Sequence, residues 1–231
     1  MSASRQPPHL EDRRRFLRAT SLGFAAAALG CRSAPPNAGA QPVHDSASGG
    51  AAGPKANPST TAALDVADAT PECHDTDDNI EGPFFKPKSL ERANLVEPGM
   101  KGVRLTILGR VLGSGCGVVL AGAVVDFWQA DADGAYFDVK LRGHQIVGAD
   151  GSYALQTVIP GHYLNGDQYR PAHIHVKVKA PGHPLLTTQL YFEGDPYNDI
   201  DPFLKRRLIM PLVNGPAAAK RARFDFVLKT A

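Results

Sequence analysis

Apolar and polar positions alternate with a period of two through much of the chain beyond residue 70. The run His173-Ile174-His175-Val176-Lys177-Val178-Lys179 shows it most plainly. Ile174, Val176 and Val178 fall on one face of an extended strand, and the two histidines and two lysines fall on the other. Apolar, β-branched runs of this kind are separated by clusters of Gly, Pro, Asp and Asn. They predict strands over 103–112, 123–129, 152–158, 172–179, 185–192 and 223–229. Asp150-Gly151 and Pro160-Gly161 read as turns. Short strands at this spacing predict an all-β fold, an antiparallel β-sandwich whose long loops carry function. One short helix is predicted over 202–208, with Asp201 as its cap and Pro202 in the first helical position. The chain has no internal repeat, no glycine-rich phosphate loop and no serine-centred nucleophile elbow.

The first 69 residues break the pattern. Arg13-Arg14-Arg15-Phe16-Leu17-Arg18 resembles a twin-arginine export motif, and 21–30 is an apolar run too short to span a bilayer. It ends in Ala28-Leu29-Gly30-Cys31, which resembles a lipobox. Residues 1–31 are therefore read as a twin-arginine signal peptide, with Cys31 either lipid-anchored or close to a plain cleavage site. Residues 32–69, rich in Ala, Pro, Gly, Ser and Asn, read as a disordered low-complexity linker. The β domain is placed at 70–231, and the expected location is periplasmic, membrane-anchored or extracellular.

Charge changes the picture little. Of 25 basic and 23 acidic residues, five arginines and two acids lie in 1–31, which leaves 20 against 21 and a net charge of −1 for the remainder. Nothing electrostatic favours nucleic acid as a partner. Besides Cys31 there are two cysteines, Cys73 and Cys116. After export they could form one disulfide or remain two unpaired thiols.

Two histidines side by side on a strand make part of a metal shell, and imidazole suits Zn, Cu, Fe and Ni alike. All six tyrosines lie after residue 135, and two sit in glycine-bearing turns: Asp133-Gly134-Ala135-Tyr136 and Pro160-Gly161-His162-Tyr163. Taken singly, each tyrosine reads as a loop anchor and Arg170 as a surface ion pair. Trp128 reads as core or pocket wall. His74, His144, His162 and His183 read as solvated loop residues, with His162 beside the pocket. Tyr153, Tyr169, Tyr191 and Tyr197 read as packing residues, with Tyr191 at the pocket edge. Lys140 and Arg142 are candidates for meeting a substrate carboxylate.

Together these residues carry a resemblance. Glu81-Gly82-Pro83-Phe84-Phe85, the run from Ala121 to Gln129, Gly134-Ala135-Tyr136 and Asp150-Gly151-Ser152-Tyr153 are followed by Pro160-Gly161-His162-Tyr163, Arg170-Pro171-Ala172-His173-Ile174-His175 and Thr188-Gln189-Leu190-Tyr191-Phe192. In this order they resemble the intradiol ring-cleavage dioxygenases, in particular the iron-binding subunit of protocatechuate 3,4-dioxygenase. The resemblance implies one mononuclear non-haem Fe(III) held by Tyr136, Tyr163, His173 and His175. It implies O2-dependent cleavage of a catechol-type substrate between its two hydroxylated carbons, to a cis,cis-muconate-type diacid. Tyr163 would be the axial ligand that leaves when substrate binds, with His173 opposite it, while Tyr136 and His175 stay equatorial. Arg170 would lie over the substrate, and Gln189 would support it from the active-site wall. A homo-oligomer stays open. So do two other classes, a metal-free β-sandwich binding module and a zinc-dependent hydrolase using the same ligands. Colour, iron content and oxygen uptake separate the three.

Overall fold

The computed structural model describes residues 73–231. The expected signal peptide and linker, with Cys31, lie outside the described residues. Twelve short strands form two packed sheets and a small hairpin. In the first sheet, β1 (Arg104–Gly113) is central. It pairs antiparallel with β4 (Ser152–Val158) on one side, and on the other it pairs parallel with two strands in succession, β11 (Lys220–Arg223) and β12 (Phe226–Leu228). β10 (Val213–Asn214) lies outside β11. The second sheet runs β3 (Arg142–Ile146), β2 (Val124–Gln129), β7 (His173–Lys179), β8 (Leu186–Phe192), β9 (Ile209–Met210). Its first three pairings are antiparallel and the last is parallel. The hairpin is β5 (Tyr163–Asn165) with β6 (Gln168–Arg170).

The predicted sandwich is therefore present, with parallel pairings where the C-terminal strands join. Its core is built by the alternation seen in the sequence. Leu105, Ile107 and Val111 of β1 and Leu155 of β4 meet Val125 and Phe127 of β2 and Ile174, Val176 and Val178 of β7, all buried. Each such side chain is worth roughly 1.5–3 kcal/mol of burial. The opposite face of the second sheet aligns Trp128, His175 and Gln189 as cross-strand partners, with His173 beside Tyr191. One strand period thus assigns three isoleucine and valine side chains to the core and two imidazoles to the other side.

Three expectations change. The strand predicted over 223–229 is two strands, because the chain breaks step at Phe224-Asp225. The Phe224 carbonyl approaches Gly109 so closely that a Cβ there would sit 1.7 Å from its oxygen, so only glycine fits at that point of β1. β3 went unpredicted because Arg-Gly-His-Gln-Ile shows no apolar alternation. The helix predicted over 202–208 is a turn and a single 3-10 turn at Arg206–Leu208. Asp201 does cap, with Oδ1 accepting from Phe203 N at 2.7 Å and its carbonyl from Leu204 N at 3.3 Å. Lys205 is extended, however, and Leu208 is buried so that Ile209–Met210 can pair with β8.

A strap, residues 73–96, holds almost no regular structure and crosses both sheets. Thr76 N donates to Val227 O, Asn79 N to Thr187 O, and Arg92 N to His144 O. Single bridges at Glu91 and Asn94 cover the free edges of β3 and β4. Cys73 and Cys116 are joined as a disulfide, with Cα atoms 5.9 Å apart and a sequence separation of 43. This resolves the open cysteine pairing and ties the start of the strap to the turn after β1.

Candidate metal centre

The site lies on the outer face of β7, under the strap and the hairpin. His173 is 2% exposed and His175 is fully buried. The Nδ1 of His173 lies 2.6 Å from the Pro171 carbonyl. A carbonyl only accepts, so Nδ1 carries the hydrogen and the Nε2 lone pair faces inward. That Nε2 lies 3.4 Å from Tyr163 Oη. The His175 ring stacks on the Trp128 indole, with centroids 4.9 Å apart and 8° between planes. Neither of its nitrogens has a close hydrogen-bond partner. Gly82 of the strap passes so close that a Cβ there would meet His175 Cε1 at 3.0 Å.

The phenols come from outside the two sheets, Tyr136 from a loop and Tyr163 from the first position of the hairpin strand β5. The Tyr136 ring stacks on Phe84 at 4.1 Å and meets Tyr163 edge-on at 5.5 Å. Tyr136 Oη is buried and unpartnered. The two turns that carry the phenols interlock. A Cβ at Gly134 would lie 2.2 Å from the His162 carbonyl, and one at Gly161 would lie 2.4 Å from the Ala132 carbonyl. Asp131 fastens both, its carbonyl accepting from Gly134 N and Gly161 N and its carboxylate from Asp133 N and Ala135 N. The four predicted metal residues are thereby brought together, with His173 and His175 ring centroids 4.8 Å apart and Tyr136 and His175 6.2 Å apart.

Burial shifts every donor toward its neutral form. It lowers His173 to about 4, holds His175 well below the ordinary histidine value, and raises both Tyr136 and Tyr163. The imidazoles are thus unprotonated at neutral pH and free to bind a metal. Each phenol can become a phenolate only beside a strong cation. Tyr136 Oη and one nitrogen of His175, both buried without a close hydrogen-bond partner, are what such a cation would satisfy, while the other ring nitrogen is left to the Ile80 backbone of the strap. Among the described residues no three His, Cys, Asp or Glu side chains gather as a shell. The donor set is two phenols and two imidazoles. That set suits a hard trivalent ion such as Fe(III), and lacks the carboxylate of the common Fe(II) oxygenase triad.

Arg170 and Gln189 are also here, in one network. Arg170 Nη2 donates to Gln189 Oε1 at 2.9 Å and to Tyr191 Oη at 3.2 Å, and Tyr191 Oη donates to Gln189 Oε1 at 2.8 Å. Gln189 Nε2 donates to the Ile80 carbonyl of the strap at 2.8 Å. Arg170 Nε pairs with buried Asp201. Tyr191, expected to pack at the pocket edge, is a full member of this network.

Of the other candidates, Arg142 borders the site: it is buried beside Trp128 as its cross-strand partner, its charge acts on Tyr136 and His175, and its Nε donates to the Phe137 carbonyl. Lys140 lies over the Phe137 ring at 5.6 Å. His162 is hydrogen-bonded to Asp195 at 2.8 Å, His144 to Ser89 at 3.1 Å and His183 to the Lys229 carbonyl at 2.8 Å. These three are half-exposed, as the solvated reading has it in part, but each is anchored, and His144 lies on β3 and not in a loop. His74 is exposed. Asp195 was not singled out in the sequence, and its only local signal is an acid in a Gly-Asp-Pro turn.

Residues 80–230 match the family described as "Dioxygenase". A 6-chlorohydroxyquinol 1,2-dioxygenase of Cupriavidus pinatubonensis is 34% identical over 180 residues, covering 66% of this chain and 64% of the relative. Among solved structures, the dioxygenase domain of a dioxygenase carbohydrate-binding protein fusion from the cellulolytic bacterium Streptomyces sp. SirexAA-E is 46% identical. It matches with TM-score 0.63 over 68% of this chain and 100% of that one. The 3-chlorocatechol 1,2-dioxygenase of Rhodococcus opacus is 26% identical, with TM-score 0.65 over 68% of this chain and 73% of that one. The chain spans 64%, 65% and 55% of the length of the first three curated relatives it matches. Fold, donor set and matches agree, and the chain belongs to the intradiol dioxygenase family.

Proposed function

We propose that this protein is an exported Fe(III)-dependent intradiol dioxygenase that opens a catechol-type ring between its two hydroxylated carbons, using O2 and giving a cis,cis-muconate-type diacid. The observation that carries the reading is the convergence of two phenols and two imidazoles, with Tyr136 Oη and a His175 nitrogen buried without a close partner. Tyr136, Tyr163, His173 and His175 would hold the ion. The chemistry a bound ferric ion supplies is Lewis acidity toward both oxygens of a catechol.

The chain's own residues do the rest. His173 keeps its Nε2 lone pair inward because Pro171 holds the other ring nitrogen. Trp128 and Gly82 clamp His175 between an indole face and a side-chain-free backbone. Phe84 lies against Tyr136 and walls the site from solvent. Tyr163, on the hairpin and less buried than the imidazoles, would be the base, its Oη taking up a substrate hydroxyl proton from the phenolate form that only a bound cation sustains. Arg170, its Nε and Nη2 already engaged, offers Nη1 to the negative charge that develops on the substrate. Gln189 holds Arg170 from the wall.

Catechol, hydroxyquinol, their chlorinated forms and protocatechuate are the substrates to test, the first three being in the names of relatives. The Streptomyces neighbour's carbohydrate-binding fusion favours catechols released from plant material. Export through the twin-arginine route, with or without a lipid at Cys31, is supported by the motif and is compatible with the Cys73–Cys116 disulfide. The deciding experiment purifies the chain and measures iron, the visible phenolate-to-iron absorption and oxygen uptake with each substrate. One iron per chain, a coloured protein and stoichiometric uptake with a muconate-type product are expected. A colourless, iron-free protein inert to every catechol after iron is added would end the reading.

A further inference from the structure

The hairpin β5–β6 begins with Tyr163 and ends with Arg170, so whatever holds the hairpin sets that phenol against that guanidinium. The loop 193–201, between β8 and β9, holds it at four points. Asp195 Oδ2 accepts from His162 Nε2 at 2.8 Å and from Ala172 N at 3.0 Å, bracketing the hairpin at both ends. Gln168 Nε2 donates to the Ile200 carbonyl at 2.6 Å. Tyr169 packs on Tyr197, with ring centroids 5.4 Å apart. The fourth point is Asp201, whose Oδ2 accepts from Arg170 Nε.

This last contact is unlike a surface ion pair. The Asp201 side chain is fully buried and that of Arg170 is 5% exposed. Asp201 cannot turn away, because its other oxygen accepts from Phe203 N at 2.7 Å. The Phe203 ring lies 4.9 Å from the guanidinium carbon. With Nε on Asp201 and Nη2 shared by Gln189 and Tyr191, Nη1 carries no close protein hydrogen bond among the described residues, and the guanidinium lies in reach of the Tyr163 phenol. The planar fork is fixed on one edge and presents the other.

We propose that Asp201 is a positioning residue. It fixes the Arg170 guanidinium so that Nη1 faces the substrate in front of Tyr163, and the loop 193–201 is thereby a third wall of the site beside β7 and the strap. The proposal rests on the ring-cleavage reading above for what Arg170 does, but not for how it is held. A carboxylate that merely neutralised a buried cation would matter equally whatever the arginine's task. A positioning carboxylate matters only while Arg170 is there to be aimed.

The test is a double-mutant cycle in the full iron-loaded chain. Asp201→Asn is expected to keep the iron content and the visible absorption, and to lower kcat for catechol about thirtyfold with KM within about threefold. A displacement near 1 Å costs on the order of a hundredfold. In an Arg170→Lys background the same change should cost less than about twofold, since nothing remains to be aimed. Asp201→Glu should recover part of the loss, and it carries the same test should Asp201→Asn fail to fold. An activity-free readout accompanies these. In the iron-free full chain, the Arg170 Nε–Hε resonance should exchange slowly in the wild type and become fast and shifted in Asp201→Asn. Unchanged kcat, an equal loss in the Arg170→Lys background, or loss of iron in step with activity would each overturn the proposal. If the wild type itself consumes no oxygen with any catechol, the ring-cleavage reading fails. The Nε–Hε resonance still decides how Arg170 is held.

Discussion

The two halves of the site are built by different means. His173, His175 and Gln189 stand on paired strands, where register alone places them. Tyr136 stands in a loop, and Tyr163 and Arg170 pair at the open end of a hairpin of three-residue strands outside both sheets, where glycine contacts and buried acids do the placing. A strand tolerates change at its neighbours because the ladder persists. An interlocked loop has no such ladder, so one added methyl group can displace it. The strand half should therefore be sensitive to loss of its donors, and the loop half to disturbance of its supports.

Donor loss gives the largest expected effect. His175→Ala should abolish the visible absorption and reduce oxygen uptake at least a hundredfold, since even an outer partner of a metal ligand is worth roughly ten- to a hundredfold. The far-UV circular dichroism should stay that of the wild type, because Trp128 and Gln189 remain paired across β7. Tyr163→Phe should be milder and keep part of the iron. Equal losses from the two changes would remove the distinction drawn between the halves.

Gly134→Ala tests the loop half directly. Its φ is +84° and the new Cβ would sit 2.2 Å from the His162 carbonyl, so the turn bearing Tyr136 must move away from the turn bearing Tyr163. Activity should fall about a hundredfold. Gly166→Ala is the control. It too has positive φ, at +67°, but open space around it, and should cost about 1 kcal/mol with activity within about twofold. If both variants behave alike, left-handed strain and not the close approach governs these loops.

The same division explains what could be read from the sequence. His173 and His175 were legible because a period of two is local, and Tyr136 and Tyr163 because Gly134 and Gly161 mark their turns. Asp195 was not, since its partners His162 and Ala172 lie 33 and 23 residues away. Asp201 was read as a helix cap. It does cap a turn, while its second oxygen meets Arg170 31 residues off. The strap's contacts, such as Gln189 with Ile80 at a separation of 109, leave no periodic trace at all.

The disulfide sharpens the comparison, because it pins a strap that touches both halves, at His175 through Gly82 and at Tyr136 through Phe84. Closing a loop of 43 residues is worth about 4 kcal/mol in the chain-entropy account. Cys116→Ser, or reduction, should lower Tm by roughly 8–16 °C for a domain of this size. Scanning calorimetry of the full chain with and without a thiol reductant measures it, and an unchanged Tm would show the strap to be held by its hydrogen bonds alone.

Acid and alkali should separate the halves most finely, in the iron-free chain. Burial lowers His173 to about 4 from 6.5, so the unfolded state binds the extra proton as pH falls. The stability this group contributes is fully present above 6.5 and is lost between about 6.5 and 4, amounting to about 3 kcal/mol. The phenols have the opposite sign. Burial raises Tyr136 and Tyr163 above 10, so their contribution is present below 10 and is lost as pH rises past it. Urea unfolding across pH 4 to 11 should thus show an acid flank from the two imidazoles of the strand half and an alkaline flank from the site phenols, to which the buried strand phenols Tyr153 and Tyr191 add. His173→Gln should lessen only the first, which His175 sustains in part, and Tyr136→Phe only the second, which Tyr153, Tyr163 and Tyr191 sustain in part. A variant that flattened both would mean the two halves do not titrate independently, and that the site unfolds as one unit.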